Sequence, residues 1–293
     1  SVSSSSSSNS ESSSSSSLST AEYNEVTITI DHTKLQNSPA DALYDFPMMI
    51  KLSSSSGISG IDTTDIFDEL GDDYTKLYIQ DSTGNILWTE VESWDSTSQV
   101  AYLWSRVPYI DNSSDTIITL NYDINNDTNS RIGTVGSSAG RNVWDSNYIS
   151  VFHMGEDLSS TNLLDSVTSF DGSPTNMGLA NRTSSLIGYG QDFNGSDEYI
   201  SLGNDSGLVP NNMTIEAILK RDVINQRDEI VARRSNPVVT DTEYGFDFLS
   251  TNKIEFYFNV NGTAGGWAGS ANESTLTLTD TSNYHYVAAS YDG

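Results

Sequence analysis

Apolar side chains recur at every second position along this chain, in short runs broken by Gly, Asn, Asp and Ser. Val26, Ile28 and Ile30 alternate with Thr27 and Thr29. Phe46, Met48, Ile50 and Leu52 alternate with Pro47, Met49 and Lys51. Ile254, Phe256, Phe258 and Val260 alternate with Glu255, Tyr257 and Asn259. A period of two places alternate side chains on opposite faces, so each run predicts a strand with one buried face. Pro47 removes a ladder donor, so its strand begins there or lies at a sheet edge. Further short runs cover Lys76 to Gln80, Ile86 to Glu92, Gln99 to Val107 and Thr116 to Tyr122. The turn Asp81-Ser82-Thr83-Gly84-Asn85 predicts a hairpin between its neighbours. Ile61 to Leu70 suggests a short helix with Asp62 or Thr63 as N-cap. The six of these runs that fall before residue 125, with polar turns between them, argue a β-sandwich.

The chain has 293 residues, enough for two domains with separate cores. The expected fold class is all-β, with two tandem β-sandwiches. Residues 1–20 are mostly serine and cannot bury enough apolar surface to offset ordering, so they form a tether. The first sandwich is expected over 21–125. Residues 126–147, rich in Asn, Asp, Ser and Gly, compose a linker. The second sandwich occupies 148–293, opening with the punctuated stretch Val151 to Leu202.

The charge balance narrows the partners. Lys plus Arg number 13 against 40 Asp plus Glu, a net charge of -27. Nucleic acid and anionic lipid both need basic contacts that such a surface lacks. A cation-collecting, soluble surface is favoured instead. No run of about 18 apolar residues exists, so no membrane insertion is expected of this segment. Cysteine is absent, which excludes disulfides, Cys-ligated zinc and thiol catalysis. Asn-x-Ser/Thr sequons begin at Asn112, Asn126, Asn181, Asn194, Asn204, Asn212, Asn261 and Asn272, all in turn-like contexts suited to glycans. They point to an extracellular or cell-surface location. Chance in an Asn- and Ser-rich chain is the competing explanation.

Two resemblances add to this. The ordered motifs Trp88-Thr89-Glu90-Val91-Glu92-Ser93-Trp94-Asp95 and Ala101-Tyr102-Leu103-Trp104-Ser105-Arg106-Val107-Pro108, with Leu77-Tyr78-Ile79 and Ile118-Thr119-Leu120-Asn121-Tyr122, resemble the domain of unknown function 2341 family. That family occurs in large bacterial and archaeal surface proteins. Val143-Trp144-Asp145-Ser146-Asn147-Tyr148 is similar to the linker that often follows it. Val151-Phe152-His153-Met154, Phe193-Asn194-Gly195-Ser196-Asp197-Glu198-Tyr199, Met213 to Leu219 and Tyr284 to Gly293 resemble a concanavalin A-like, LamG-type jelly roll. In that family more strands follow the last motif, so this domain is expected to be incomplete at its C-terminus, as in a fragment of a longer chain.

The resemblance to LamG-type domains implies calcium. Asp165, Asp171, Asp192, Asp197 and Asp205 supply hard oxygen donors around the opening stretch. The same aspartates also suit plain turn formation. Trp267, among glycines in the loop Asn261 to Gly269, is the candidate for stacking on a sugar or partner, with folding back over the sheet as the alternative. Glu90 and Glu92 share a strand face and could form an acid pair, but a solvated face or a cation contact is the favoured reading. His153 and His285 read as packing residues, and no catalytic residue is assigned. The expectation is a non-enzymatic cell-envelope, filament or adhesin component, archaeal in origin, whose partners are other copies, other surface proteins or glycans. A carbohydrate-binding module of a larger secreted glycan-degrading protein is the alternative.

Overall fold

The computed structural model describes residues 2–3, 24–35, 41–233, 243–259 and 272–292. The chain is all-β and forms two compact units. The first comprises 1–193 and 197–202; the second comprises 194–196 and 203–293. Most of the 148–202 stretch therefore lies with the first unit.

The first unit contains β1 (Val2–Ser3), β2 (Asn24–Ile30), β3 (Leu43–Leu52), β4 (Leu77–Asp81), β5 (Thr89–Asp95), β6 (Val100–Ile110), β7 (Thr116–Tyr122) and β8 (Ile132–Thr134). These make two four-stranded sheets, ordered β1-β2-β7-β4 and β3-β6-β5-β8. Their inner faces meet in one core. Ile28, Leu77, Ile79, Ile118 and Leu120 come from the first sheet, and Ile50, Leu52, Val91, Leu103 and Val107 from the second. The predicted alternation holds in β2 and from Met48 to Leu52 in β3 but fails before it, where Phe46 is exposed and Pro47 buried, and β3 is an edge strand. A sandwich is the consequence, because each sheet can bury its apolar face only against the other.

Two local expectations shift. Helix α1 is Asp65–Leu70, with Thr64 as N-cap. Asp62 instead accepts the backbone N–H and the hydroxyl of Thr64 at 3.0 and 2.7 Å. Thr63 is buried and serves the Ser53 turn. The Asp81–Asn85 turn forms, with Leu87 N–H donating to Ile79 at 2.7 Å. Yet β4 and β5 lie in different sheets. The chain passes to the opposite layer after Leu87, so the predicted hairpin is local only.

Residues 126–147 carry β8, which runs parallel to β5, and helix α2 (Ser138–Arg141). Asn129, Ile132, Val143 and Trp144 are buried there. Beyond them lie β9 (Ser173–Thr175), β10 (Arg182–Ser184), β11 (Tyr189–Gln191) and β12 (Tyr199–Ser201), paired as β10-β11 and β12-β9.

The second unit contains β13 (Met213–Leu219), β14 (Asp228–Arg233), β15 (Glu243–Phe248), β16 (Lys253–Asn259), β17 (Asn272–Thr277) and β18 (His285–Tyr291). One sheet is β14-β15-β16-β17 and the other β13-β18. Phe246, Phe256 and Val287 form the centre of the core, with Ile215, Leu219, Ile254 and Ala289 packed on it. The predicted one-sided burial of β16 is incomplete, because Tyr257 and Glu255 on its other face are also buried. The Tyr257 ring crosses Gly245, where a Cβ would meet it at 2.2 Å.

Candidate functional site

A buried constellation of ionisable side chains lies on the outer face of β5 in the first unit. Val91 and Leu103 face the core as register partners, so Glu90 and its partner Trp104 point the other way. A bulge leaves Glu92 without a register partner between Val91 and Ser93. Alternation alone assigns that outer face to water. The chain after β8 covers it instead. Helix α2 passes over β5, and a Cβ on Gly140 would lie 3.0 Å from Glu90 Oε1 and 2.6 Å from the Thr134 carbonyl. Trp144 and His153 then close the site.

His153 sits between the two carboxylates. Its Nε2 is 2.9 Å from Glu90 Oε2 and its Nδ1 is 3.1 Å from Glu92 Oε2. Trp144 Nε1 donates to Glu90 Oε2 at 2.9 Å, and Trp104 Nε1 donates to Glu92 Oε2 at 2.6 Å. The Trp104 and Trp144 rings pack at 5.4 Å and both flank His153. The side chains of Glu90, Glu92 and His153 are 0%, 5% and 6% exposed. Burial by itself disfavours the imidazolium. The two carboxylates outweigh it and push His153 up to about 9. At neutral pH the ring is a cation held between two anions. Nearby Glu156 is pushed up by its own burial, an effect opposed by the Leu164 N–H and by His153.

Of the two expectations for Glu90 and Glu92, burial overturns the solvated face, and the contact with His153 is the cation contact. His153 is a packing residue and an ion-pair centre together. Sequence reasoning had the parts, since the paired glutamates, both tryptophans and the histidine all lie in the motifs singled out. What it lacked was the closure, because 60 residues separate the carboxylates from the ring and no periodicity joins them.

The five aspartates proposed as cation ligands are not assembled into one cluster. Asp165 is fully buried and accepts N–H groups from Val151, Val167 and Thr168 at 3.0 to 3.1 Å. The Thr168 hydroxyl donates to it at 2.5 Å. It is a hub that shapes its own loop. Asp171 accepts the Asp165 N–H at 2.9 Å. Asp197 accepts from Asn176, and Asp205 caps the turn Ser206–Leu208 through Gly207 N–H at 2.8 Å. Asp192 is exposed. Among the described residues, the one group of three ligand atoms close enough for a metal is Asp31, His32 and Asp115. There His32 Nδ1 contacts Asp115 at 2.8 Å.

Trp267 and Asn261 lie outside the described residues. Asn272 opens β17. Asn194, Asn204 and Asn212 are exposed, whereas Asn112, Asn126 and Asn181 are half-buried. The Asn126 amide donates to Lys76 O at 3.0 Å and the Asn181 amide to Asp192 O at 2.8 Å. His285 contacts Asp280 at 3.1 Å. In the second unit Asp247 and Glu255, register partners on β15 and β16, both bind the Arg227 guanidinium, at 2.6 and 2.8 Å.

Comparisons with protein-family models, curated proteins and solved structures each find no match to this chain.

Proposed function

We propose that this chain is a non-enzymatic segment of an extracellular surface protein, a component of a cell envelope, filament or adhesin. The observation that carries the reading is the sealing of Glu90, Glu92 and His153. A hydrolase needs its carboxylates open to substrate and to water. Here the pair faces an imidazolium and two indole N–H groups, with almost no exposure. Asp247 and Glu255 likewise share the Arg227 guanidinium. Both acid pairs therefore serve cohesion. Exposed sequons at Asn194, Asn204 and Asn212 support glycosylation and an outside address. The motif resemblances support the same location.

Light scattering and sedimentation of the purified chain test this, with and without millimolar calcium, alongside a panel of polysaccharide substrates. Self-association without turnover is expected. Reproducible hydrolysis lost in Glu90→Gln or Glu255→Gln would overturn the reading.

A further inference from the structure

A shallow depression of about 220 Å³ opens at the edge strand β3, lined by Tyr44, Asp45, Phe46, Pro47, Asp145 and Tyr148, with Asn147 at its rim. Its aromatic side chains are poorly covered. Tyr44 is 69% exposed, Phe46 39% and Tyr148 36%. Asp45 has φ of 50°, an uncommon conformation for a residue other than glycine inside a strand. Tyr44 is also braced edge-on by Tyr109, with ring centroids 5.4 Å apart. Phe46 is the register partner of core-facing Val107 yet stays part-exposed at the sheet edge, and Tyr44, beyond the kink at Asp45, is the most exposed of the three rings.

The polar groups give the depression a sign. Asp45 and Asp145 are carboxylates, and none of the lining residues is basic. Arg106 reaches Asp45 from behind at 3.0 Å and offsets one charge, which leaves one negative charge in excess. Donors are scarce. The backbone and side-chain N–H groups of Asn147 are already given to Asp145 at 2.8 and 3.0 Å. A neutral sugar needs donors as well as acceptors, and an anion would meet repulsion. Aromatic faces with carboxylates and few donors suit a cation that carries an apolar shell. The volume lies below the roughly 300 Å³ where drug-sized sites begin, so it fits one head group and not an extended peptide.

We infer that this depression binds an alkylated ammonium group, seated on Tyr44, Phe46 and Tyr148 and neutralised by Asp45 and Asp145. The inference goes beyond the proposed surface role and does not require it. Such a group could belong to a small solute of the choline type or to a methylated lysine on another protein.

Saturation-transfer magnetic resonance on the full chain tests it, with choline chloride, dimethylbutanol as its uncharged carbon analogue, trimethyl-lysine amide and glucose as probes. Choline should bind saturably, on the order of tenfold tighter than the uncharged analogue. Tyr44→Ala should abolish that binding, Tyr44→Phe should retain it, and Asp145→Asn should weaken it. Tyr44 is exposed enough that the alanine variant should keep its urea midpoint, which is measured in parallel. Trimethyl-lysine amide binding tighter than choline would point to a protein side chain as the source, and the reverse order to a solute. Equal binding of the uncharged analogue, choline binding that survives Tyr44→Ala, binding of glucose alone, or no binding at all would each overturn the inference.

Discussion

At the scale of single residues, His153 decides whether the outer face of β5 can be buried. Glu90 and Glu92 are both removed from water, and an isolated buried carboxylate is costly. Removing the one cation between them leaves two uncompensated charges. His153→Leu is therefore expected to destabilise the first unit by about 3–5 kcal/mol. Urea denaturation followed by tryptophan fluorescence reads this directly. A loss under about 1 kcal/mol would mean the pair is solvated after all. The same residue predicts a pH effect. Its folded pKa of about 9 exceeds the ordinary 6.5, so its stabilisation is fully present below 6.5 and is lost as pH rises through 9. The first unit should weaken between pH 7 and 9.5 in the natural chain and not in His153→Leu. Burial and nearby carboxylates raise Tyr78 and Tyr122 above 10, outside that window.

At the scale of elements, α2 works as a lid over β5, and its fit depends on a missing side chain. A Cβ at Gly140 would fall 2.6 Å from Thr134 O, a backbone atom that cannot swing aside. Gly140→Ala should cost about 1–3 kcal/mol by overpacking. Gly155→Ala, which meets nothing within 4 Å, should stay within roughly 0.5 kcal/mol of the natural chain. Equal midpoints for the two variants would show that α2 is not held tightly against the sheet. This lid also marks the limit of what sequence shows. The strands were legible because alternation is local: Val26, Ile28, Ile50 and Leu52 announce their faces within a few residues. Pro47 likewise announced an edge. The hairpin after β4 misled because turn chemistry at Asp81 reports the turn and not the sheet the chain enters next. Glu90 and Glu92 misled for a similar reason. A carboxylate at an outward position implies water unless something distant covers it, and the cover begins some 50 residues later, at Gly140 and Trp144. Asp165 was singled out as a ligand from its type, yet its oxygens are taken by N–H groups of its own loop.

At the scale of the whole chain, the acidity has two opposed effects on stability. A net charge of -27 repels itself and weakens any compact state. Many of the same carboxylates also build turns. Asp31, Asp62, Asp81, Asp95, Asp111, Asp157 and Asp280 each accept the N–H two residues ahead. Asp31 and Asp157 are held below the ordinary carboxylate value chiefly by the hydroxyls of Thr33 and Ser159, Asp62 by the Thr64 N–H and Asp95 by Ser98. Asp111 and Asp280 are lowered to about 2, chiefly by the Ser113 hydroxyl and the Asn283 side chain, with the turn N–H groups adding to it. At Asp81 partial burial acts against the shift, but hydrogen bonds from Thr83 and Asn85 still bring it to about 2. Depressed carboxylates stabilise above 3.8 and lose that contribution as pH falls toward 2. Acidification toward the isoelectric point of about 4.1 lowers the net charge and relieves repulsion while the depressed aspartates stay ionised and the turns intact. The thermal midpoint should therefore rise on going from pH 7 to about 4.5 and fall steeply below about 3.5. Salt acts on the repulsive part alone. At pH 7, molar sodium chloride shortens the screening length to about 3 Å and should raise the midpoint by several degrees. At pH 4.5, closer to the isoelectric point of about 4.1, that gain should be smaller. Calorimetry across a grid of pH and salt separates the two effects. A midpoint that peaks at neutral pH and ignores salt would mean that the acidic surface carries no net strain and that the aspartates act as turn formers alone.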